Sequence, residues 1–255
     1  MDNRIKEQAV MAHFTTVARR YDLMNTLLSF GIHHLWKRKA IGMMNLSPGN
    51  NVLDLCGGTG DLAILAKKAV GKAGKVVLYD INREMMQVGK HSTSFTDIRS
   101  EILYVQGNAE KISFSDKSFD VVTVGFGVRN LTHLEIGFRE MYRILRPGGT
   151  MMCLEFSEPV NPVFRRLYDM YSFHIMPRLG EMIAGSRQAY TYLPESIRLF
   201  PKPDKLCDIL ENIGFSDVSY CRLTNGIAAI HIGVKKNISS SLNPSSVTLG
   251  KTVLF

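Results

Sequence analysis

An apolar strand that ends in an acid and runs directly into glycines is where residue types first imply chemistry in this chain: Val52-Leu-Asp-Leu-Cys-Gly-Gly-Thr-Gly-Asp61. Gly57, Gly58 and Gly60 allow a tight turn and the close approach of a ligand that a Cβ would obstruct. Thr59 sits among them, and Asp61-Leu-Ala-Ile-Leu-Ala opens a helix whose first amides face the same place. Two ligand classes suit such a turn. Gly58-Thr-Gly-Asp-Leu-Ala63 satisfies the dinucleotide pattern, and Asp80 follows 20 residues after Gly60, so an NAD-dependent dehydrogenase is one reading. Against it, the carboxylates of Asp54 and Asp61 bracket the turn. Both repel a diphosphate, whereas the ammonium and sulfonium of S-adenosylmethionine are cationic. The pair favours a methyl-donor site.

The elements that must position this turn follow from the pattern around it. From Asn51, strand and helix alternate: a strand to Leu55, a helix to Val70, a strand at 75–79, a helix from Asn82, strands at 101–106 and 119–124, a helix from Thr132 to Leu145, and a strand at 150–156. Such alternation specifies an α/β fold with a mostly parallel sheet and helices on both faces. Arg146-Pro-Gly-Gly149 reads as the turn before the last of these strands. Residues 215–222 and 227–234, joined around Asn225-Gly226, predict a terminal antiparallel hairpin, which brings the sheet to seven strands. A short helix at 206–213 precedes it. Residues 5–46 read as an N-terminal helical cap broken near 12–16 and at Gly31. Residues 161–200, rich in Tyr, Met, Phe and Arg, read as a helical lid inserted over the site. One domain over residues 1–236 and a disordered Ser- and Asn-rich tail over 237–255 complete the division.

Open parallel sheets hold ligands beyond the carboxyl ends of their strands. Asp80 ends the second strand, where a carboxylate accepts both ribose hydroxyls or else caps the following helix. Asn108-Ala109 follows the third, beside an adenine edge or as a plain turn. The fourth strand ends in Gly125-Phe-Gly-Val-Arg-Asn130, not in the Asn-Pro-Pro-Tyr type of tip that methylates base amines. Neither Cys56 nor Cys153 has the context for covalent attack on cytosine. Arg129 and Asn130 instead suit an oxyanion such as a phenolate, with a structural ion pair as the plainer role for Arg129.

Lys and Arg number 31 against 23 acids, a net charge of +8, with clusters at Trp36-Lys-Arg-Lys39, Arg165-Arg166 and Lys235-Lys236. That surplus suits nucleic acid, an anionic membrane face or an acidic ligand, or simply a solvated surface. An RNA methyltransferase stays open on charge alone, but there is no aromatic RNA platform, and no nucleic-acid partner is expected. The four cysteines form no Cys-x-x-Cys pair and read as free thiols in a reducing, cytoplasmic compartment; no metal centre is expected. The charged start lacks an apolar signal segment, and no apolar run approaches the ~20 residues of a membrane span. A soluble protein, or one peripheral on the inner face of the cytoplasmic membrane, is expected.

At specific motifs the chain resembles the ubiquinone and menaquinone biosynthesis C-methyltransferases. These are Tyr21-Asp-Leu-Met-Asn25, Ser29-Phe-Gly-Ile-His-His-Leu-Trp-Lys37, Leu53 to Ala63, Gly107-Asn-Ala-Glu110, Phe126-Gly-Val-Arg-Asn130, Arg139 to Gly149, Leu154-Glu-Phe-Ser157 and Tyr192-Leu-Pro-Glu-Ser-Ile197. The resemblance covers 11–235. It implies a Rossmann-like class I S-adenosylmethionine-dependent fold and methyl transfer from S-adenosylmethionine to a ring carbon of a polyprenylated quinol. Demethylmenaquinol leads, with the benzoquinol of ubiquinone synthesis, or both, as the alternative. The family's donor contacts correspond to Thr59, Asp80, Asn108 and Ala109; its usual serine is Gly125 here, which leaves only a backbone contact. His34 stands where many members have Arg, and Leu131-Thr-His133 where Val-Thr-Asp is usual. On this reading Arg129 and Asn130 hold the oxyanion, and Tyr21, Asp22 or His13 relays the proton. The segments 21–44 and 162–182 form the lipid-tail channel or ordinary packing, and monomer and dimer both stay open.

Overall fold

Apolar, β-branched runs that alternate with amphipathic segments bury both faces of a parallel sheet when helices cover each side. The computed structural model, which describes residues 3–92 and 94–237, has this arrangement. Strands β1 (Asn51–Leu55), β2 (Lys75–Asp80), β3 (Ile102–Gln106), β4 (Phe119–Gly125), β5 (Leu145–Phe156), β6 (Phe215–Leu223) and β7 (Ala228–Lys235) form one sheet in the order 3-2-1-4-5-7-6. β1 to β5 are parallel, and β7 runs antiparallel to both β5 and β6. The strand order reverses beside β1 and β4. The loops leaving these two strands turn to opposite sides there and open a crevice.

Helices α1 (Asn3–Val17), α2 (Tyr21–Leu28) and α3 (Ile32–Met43) precede the sheet. Within it come α4 (Asp61–Val70), α5 (Arg83–Lys90), α6 (Thr96–Ser100) and α7 (Leu134–Ile144). The insertion holds α8 (Pro162–Met170), α9 (Met176–Leu179) and α10 (Arg187–Leu199), and α11 (Pro203–Ile213) leads into the terminal hairpin. Pleating separates two cores: Val52 packs with α3 and α4 on one face, while Leu53 and Leu55 pack with α7 and α11 on the other. A third cluster, including Val17, Met24, Leu28, Met176 and Tyr190, joins the N-terminal helices to the insertion. Trp36 ties α3 to the far end of the chain, its Nε1–H donating to Thr224 Oγ1 at 3.0 Å.

Two local expectations are corrected. α1 runs unbroken through 12–16, and the chain bends instead at the single 3-10 turn Ala18–Arg20. The expected break at Gly31 is present, with Gly31 at φ +75 entering α3. Arg146-Pro-Gly-Gly149 is a bulge inside β5, not a turn before it: Leu145 already pairs with Phe119, and pairing resumes at Val121 and Thr150. The insertion is helical as expected, with wider π-turns at Tyr171–Ile175 and Gly180–Ala184. Residues 238–255 of the expected tail lie outside the described residues. Among the described residues, no helix is long and apolar enough to cross a membrane.

Candidate active site

The carboxyl ends of β1 to β4 converge on a cleft of about 110 Å³ lined by Gly58, Asp80, Asn108, Ala109 and Gly125, with Val10, Met11 and Phe14 of α1 closing it. Asp80 Oδ2 accepts from the Gly58 amide at 2.8 Å and Oδ1 from the Asn82 amide at 2.7 Å. It does not cap α5; that role belongs to Asn82, whose Oδ1 accepts from the Met85 amide at 3.1 Å. Burial raises the Asp80 carboxyl above its ordinary range, opposed by those two amides. Asn108 lines the cleft, and its Oδ1 accepts from the Glu110 amide at 2.7 Å, the bond of a turn residue. A Cβ on Gly125 would lie 2.6 Å from Leu62 Cδ1, so a serine there would require Leu62 to move.

The glycine turn differs from its expected role in one respect. A Cβ at Gly57 would meet Leu78 Cγ at 2.6 Å and Asp54 Oδ2 at 3.0 Å, so packing behind the turn, not ligand approach, demands glycine there. Gly60, at φ +92, enters α4. Thr59 is buried, and its hydroxyl donates to Asp22 Oδ1 at 2.7 Å.

The two carboxylates thought to select a cationic ligand also need correction. Asp54 turns into the fold as a brace, accepting from the Ala63 amide at 3.0 Å and the Thr123 hydroxyl at 2.9 Å. Burial pushes it up to about 7. Asp61 pairs with Lys37 at 2.6 Å; burial alone would raise it, but that ammonium holds it below the ordinary carboxylate range. The acid beside the turn that lacks such a cation is Asp22, raised by burial despite its bond from Thr59, with the Asp61 charge adding to the rise. Asp22, Asp61 and Lys37 thus form a compact charged group next to Thr59. Lys37 had read as part of an exposed basic cluster, yet both it and Trp36 are buried. A lysine directly after a buried aromatic carries no sequence signal of its own.

Beside the cleft lies an apolar cavity of about 750 Å³ between the N-terminal helices and the insertion. Phe14, Tyr21 and Phe126 line both spaces, which therefore meet at these rings. Arg129 is in the cavity wall. Its Nη1 donates to Glu155 Oε1 at 2.8 Å and to the Phe126 carbonyl, while its buried Nε has no partner. The ion pair and an exposure toward the cavity thus coexist at Arg129. Asn130 Oδ1 accepts from the Tyr192 hydroxyl at 3.1 Å, and the His13 ring stacks on Tyr192 at 5.8 Å. Burial raises the Tyr21 phenol, Lys37 and Arg129 opposing, so it stays protonated at neutral pH. His13, Tyr21 and Arg129 are thus brought to one cavity, with Asn130 at the cleft beside it, whereas Asp22 lies on the glycine-turn side. Glu155 and Tyr192 were quoted within motifs but not singled out, because their importance lies in partners distant in sequence.

His33, His34 and Asp61 place ligand-type atoms within 4.8 Å of one another, but the Lys37 ammonium already occupies the cation position at Asp61. His33 is pushed down to about 3 by burial and by Lys37, so its imidazole is neutral.

The model of the ubiE/COQ5 methyltransferase family matches residues 2–235. The chain is 47% identical over 233 residues to the ubiquinone/menaquinone biosynthesis C-methyltransferase UbiE of Escherichia fergusonii, covering 90% of this chain and 93% of that protein. It is 46% identical over 230 residues to the protein of the same name from Legionella pneumophila strain Corby, covering 90% and 92%. Among solved structures, a SAM-dependent methyltransferase of Thermotoga maritima described as a possible histamine N-methyltransferase superposes with a TM-score of 0.61. At 18% identity it covers 89% of this chain and 100% of its own, a likeness of fold.

Proposed function

Because the chain belongs to the ubiE/COQ5 methyltransferase family, we propose that it methylates a ring carbon of a polyprenylated quinol, with demethylmenaquinol first and the 2-polyprenyl-6-methoxy-1,4-benzoquinol of ubiquinone synthesis, or both, as the alternative. The methyl donor is S-adenosylmethionine, which supplies an electrophilic methyl on a sulfonium when bound. The observation that carries the reading is the junction, at Tyr21 and Phe126, of a small cleft that presents Asp80 and Asn108 at strand ends with a large apolar cavity. On this reading the nucleoside lies against Asp80 and Asn108, the lipid-tailed ring lies in the cavity, and their reactive ends meet at the shared rings.

The donor set suits the cleft. The Asp80 carboxylate is placed for a ribose diol, and Asn108-Ala109 for the adenine. The amino-acid end is assigned to the group beside Thr59, with Lys37 toward the carboxylate and Asp22 and Asp61 toward the ammonium. With both acids ionised that group carries one net negative charge, complementary to the single net positive charge of the donor. Asp22 is therefore assigned to donor binding in place of the proton relay.

On the acceptor side the chain must favour a phenolate, align its ring and keep water out. Arg129 stabilises the oxyanion, pre-oriented by Glu155, and Asn130 is held for the same task by Tyr192. The protonated Tyr21 acts as a hydrogen-bond donor at the junction, and His13, on the cavity side, is left as the proton acceptor. The aromatic walls accommodate the chain of the lipid.

Purified protein with labelled S-adenosylmethionine is offered reduced demethylmenaquinone and the reduced benzoquinone analogue separately. Label in one ring assigns the step, and label in both makes a dual enzyme. Label in neither, with donor binding confirmed, removes the quinol assignment. A dehydrogenase or RNA methyltransferase would instead bind NADH or shift RNA in a gel.

A further inference from the structure

Two apolar stripes face outward beside the large cavity. On α8, Val163, Leu167 and Met170 recur at i, i+4 and i+7, all exposed, and no residue of that helix is buried. Leu23, Leu27 and Phe30 repeat the same spacing along α2 and the turn that follows it, again exposed. Phe30 is 88% exposed and adopts a left-handed backbone at φ +51. An aromatic residue held in that conformation costs about 1 kcal/mol or more, and in water its ring is buried against nothing that offsets the cost.

The two stripes belong to one rim. The Tyr171 hydroxyl donates to the Leu28 carbonyl at 2.9 Å, and its ring lies 6.3 Å from Phe30. Phe30, Leu35 and Leu167 also line the cavity, so the exposed surface is continuous with its interior. The rim has a basic border. Arg38 and Lys39 are exposed one turn beyond His34 and Leu35, and Ile32–Met43 contains no acid at all. Arg166 is exposed on α8, whose one acid, Asp169, is engaged by Arg198. Of the other basic-cluster members, Lys37 is engaged with Asp61, Arg165 with Glu158, and Lys235 with the carbonyls of Tyr142, Arg143 and Leu145.

We propose that this rim docks on the surface of an anionic lipid bilayer, Phe30 and the α8 stripe entering the acyl boundary while Arg38, Lys39 and Arg166 meet the headgroups. Amphipathic helices with a basic flank bind membranes in this way. A bilayer fits better than a protein partner because the two ridges flank an opening into the cavity, which a protein seated there would close. The inference deepens the proposed function and rests on it, since it makes the lipid phase the direct source of the prenylated substrate.

The test is co-sedimentation of the full chain with vesicles of phosphatidylcholine, with and without phosphatidylglycerol. Val163 and Met170 are on the stripe but outside the cavity wall, so Val163→Gln with Met170→Gln is the main variant. It is expected to weaken vesicle binding at least about tenfold while leaving methylation of a short-chain, water-dispersed quinol within about twofold. Phe30→Asn, which tolerates the left-handed backbone, is expected to weaken vesicle binding in the same direction. Leu103→Gln, an exposed apolar residue on the β3 edge, is the control and should bind as wild type. Failure of wild type to bind anionic vesicles, unchanged binding by the stripe variants, an equal loss in Leu103→Gln, or indifference to phosphatidylglycerol overturns the proposal. If neither quinol is methylated in any format, the functional reading fails, and vesicle binding still decides the docking face by itself.

Discussion

The strand-end cleft and the large cavity touch at three aromatic rings, yet they are built differently. The cleft is formed by backbone at strand ends: Gly58, Asp80, Asn108 and Gly125 each follow or close a strand whose register is fixed by ladder hydrogen bonds. The cavity is lined mainly by side chains on helices α1 to α3 and α8 to α10, with Phe126, Phe156 and Ile227 joining them from strand ends. The difference separates two tasks. On the proposed reading, the donor falls to the strand-end part and the acceptor to the part built mostly from helices.

The sharpest break of that comparison would come from Arg129, which stands where the two regions meet. Arg129→Ala is expected to lower turnover by ~10² or more with donor affinity, measured calorimetrically, nearly unchanged. Because Glu155 is then left buried without its cation, the variant must first be shown to fold, and Glu155→Gln serves as the companion. Turnover within a few fold of wild type would remove the oxyanion role. Next in size, Asp80→Ala should weaken donor binding about tenfold or more and leave the affinity for quinol unaltered; a change confined to quinol would contradict the separation of the two regions. Lys37→Met should weaken S-adenosylmethionine and S-adenosylhomocysteine alike, several-fold, because both carry the carboxylate assigned to it. Tighter binding of the sulfonium alone would mean that Lys37 only neutralises Asp61.

Smallest in its effect on the reaction is Asp54→Asn, expected to leave donor affinity within about twofold because Asp54 braces α4 against β4. Its signature is in stability. Burial raises this carboxyl to about 7, so the folded state favours the protonated form. The resulting stabilisation is complete below the unfolded value near 4 and is lost as pH rises to about 7. Urea midpoints of wild type should fall relative to Asp54→Asn across that interval, and parallel curves would refute the assignment.

How much was legible follows the same division. The strand-helix alternation, the terminal hairpin and the strand-end positions of Asp80, Asn108 and Ala109 at the cleft are legible because each depends on the local strand pattern. The bulge in β5 was read as a turn because Pro147, Gly148 and Gly149 mark a departure from regular pairing without saying whether the ladder resumes with the same partner. Asp54 was read as a ligand contact because sequence shows its distance from the glycines but not the amide and hydroxyl that claim it. Lys37, Glu155 and Tyr192 went unassigned for the reverse reason: their partners Asp61, Arg129 and Asn130 are named by the fold alone.

The bond from Trp36 to Thr224 joins residues 188 positions apart. The α3 helix is made before any strand, yet one of the groups that anchors it is made only after six of the seven strands, at the tip of the terminal hairpin. During synthesis β1 to β5 can thus pair while the large cavity still lacks this clasp. A chain truncated before the hairpin should leave the aromatic wall of that cavity open, the kind of surface that chaperones recognise.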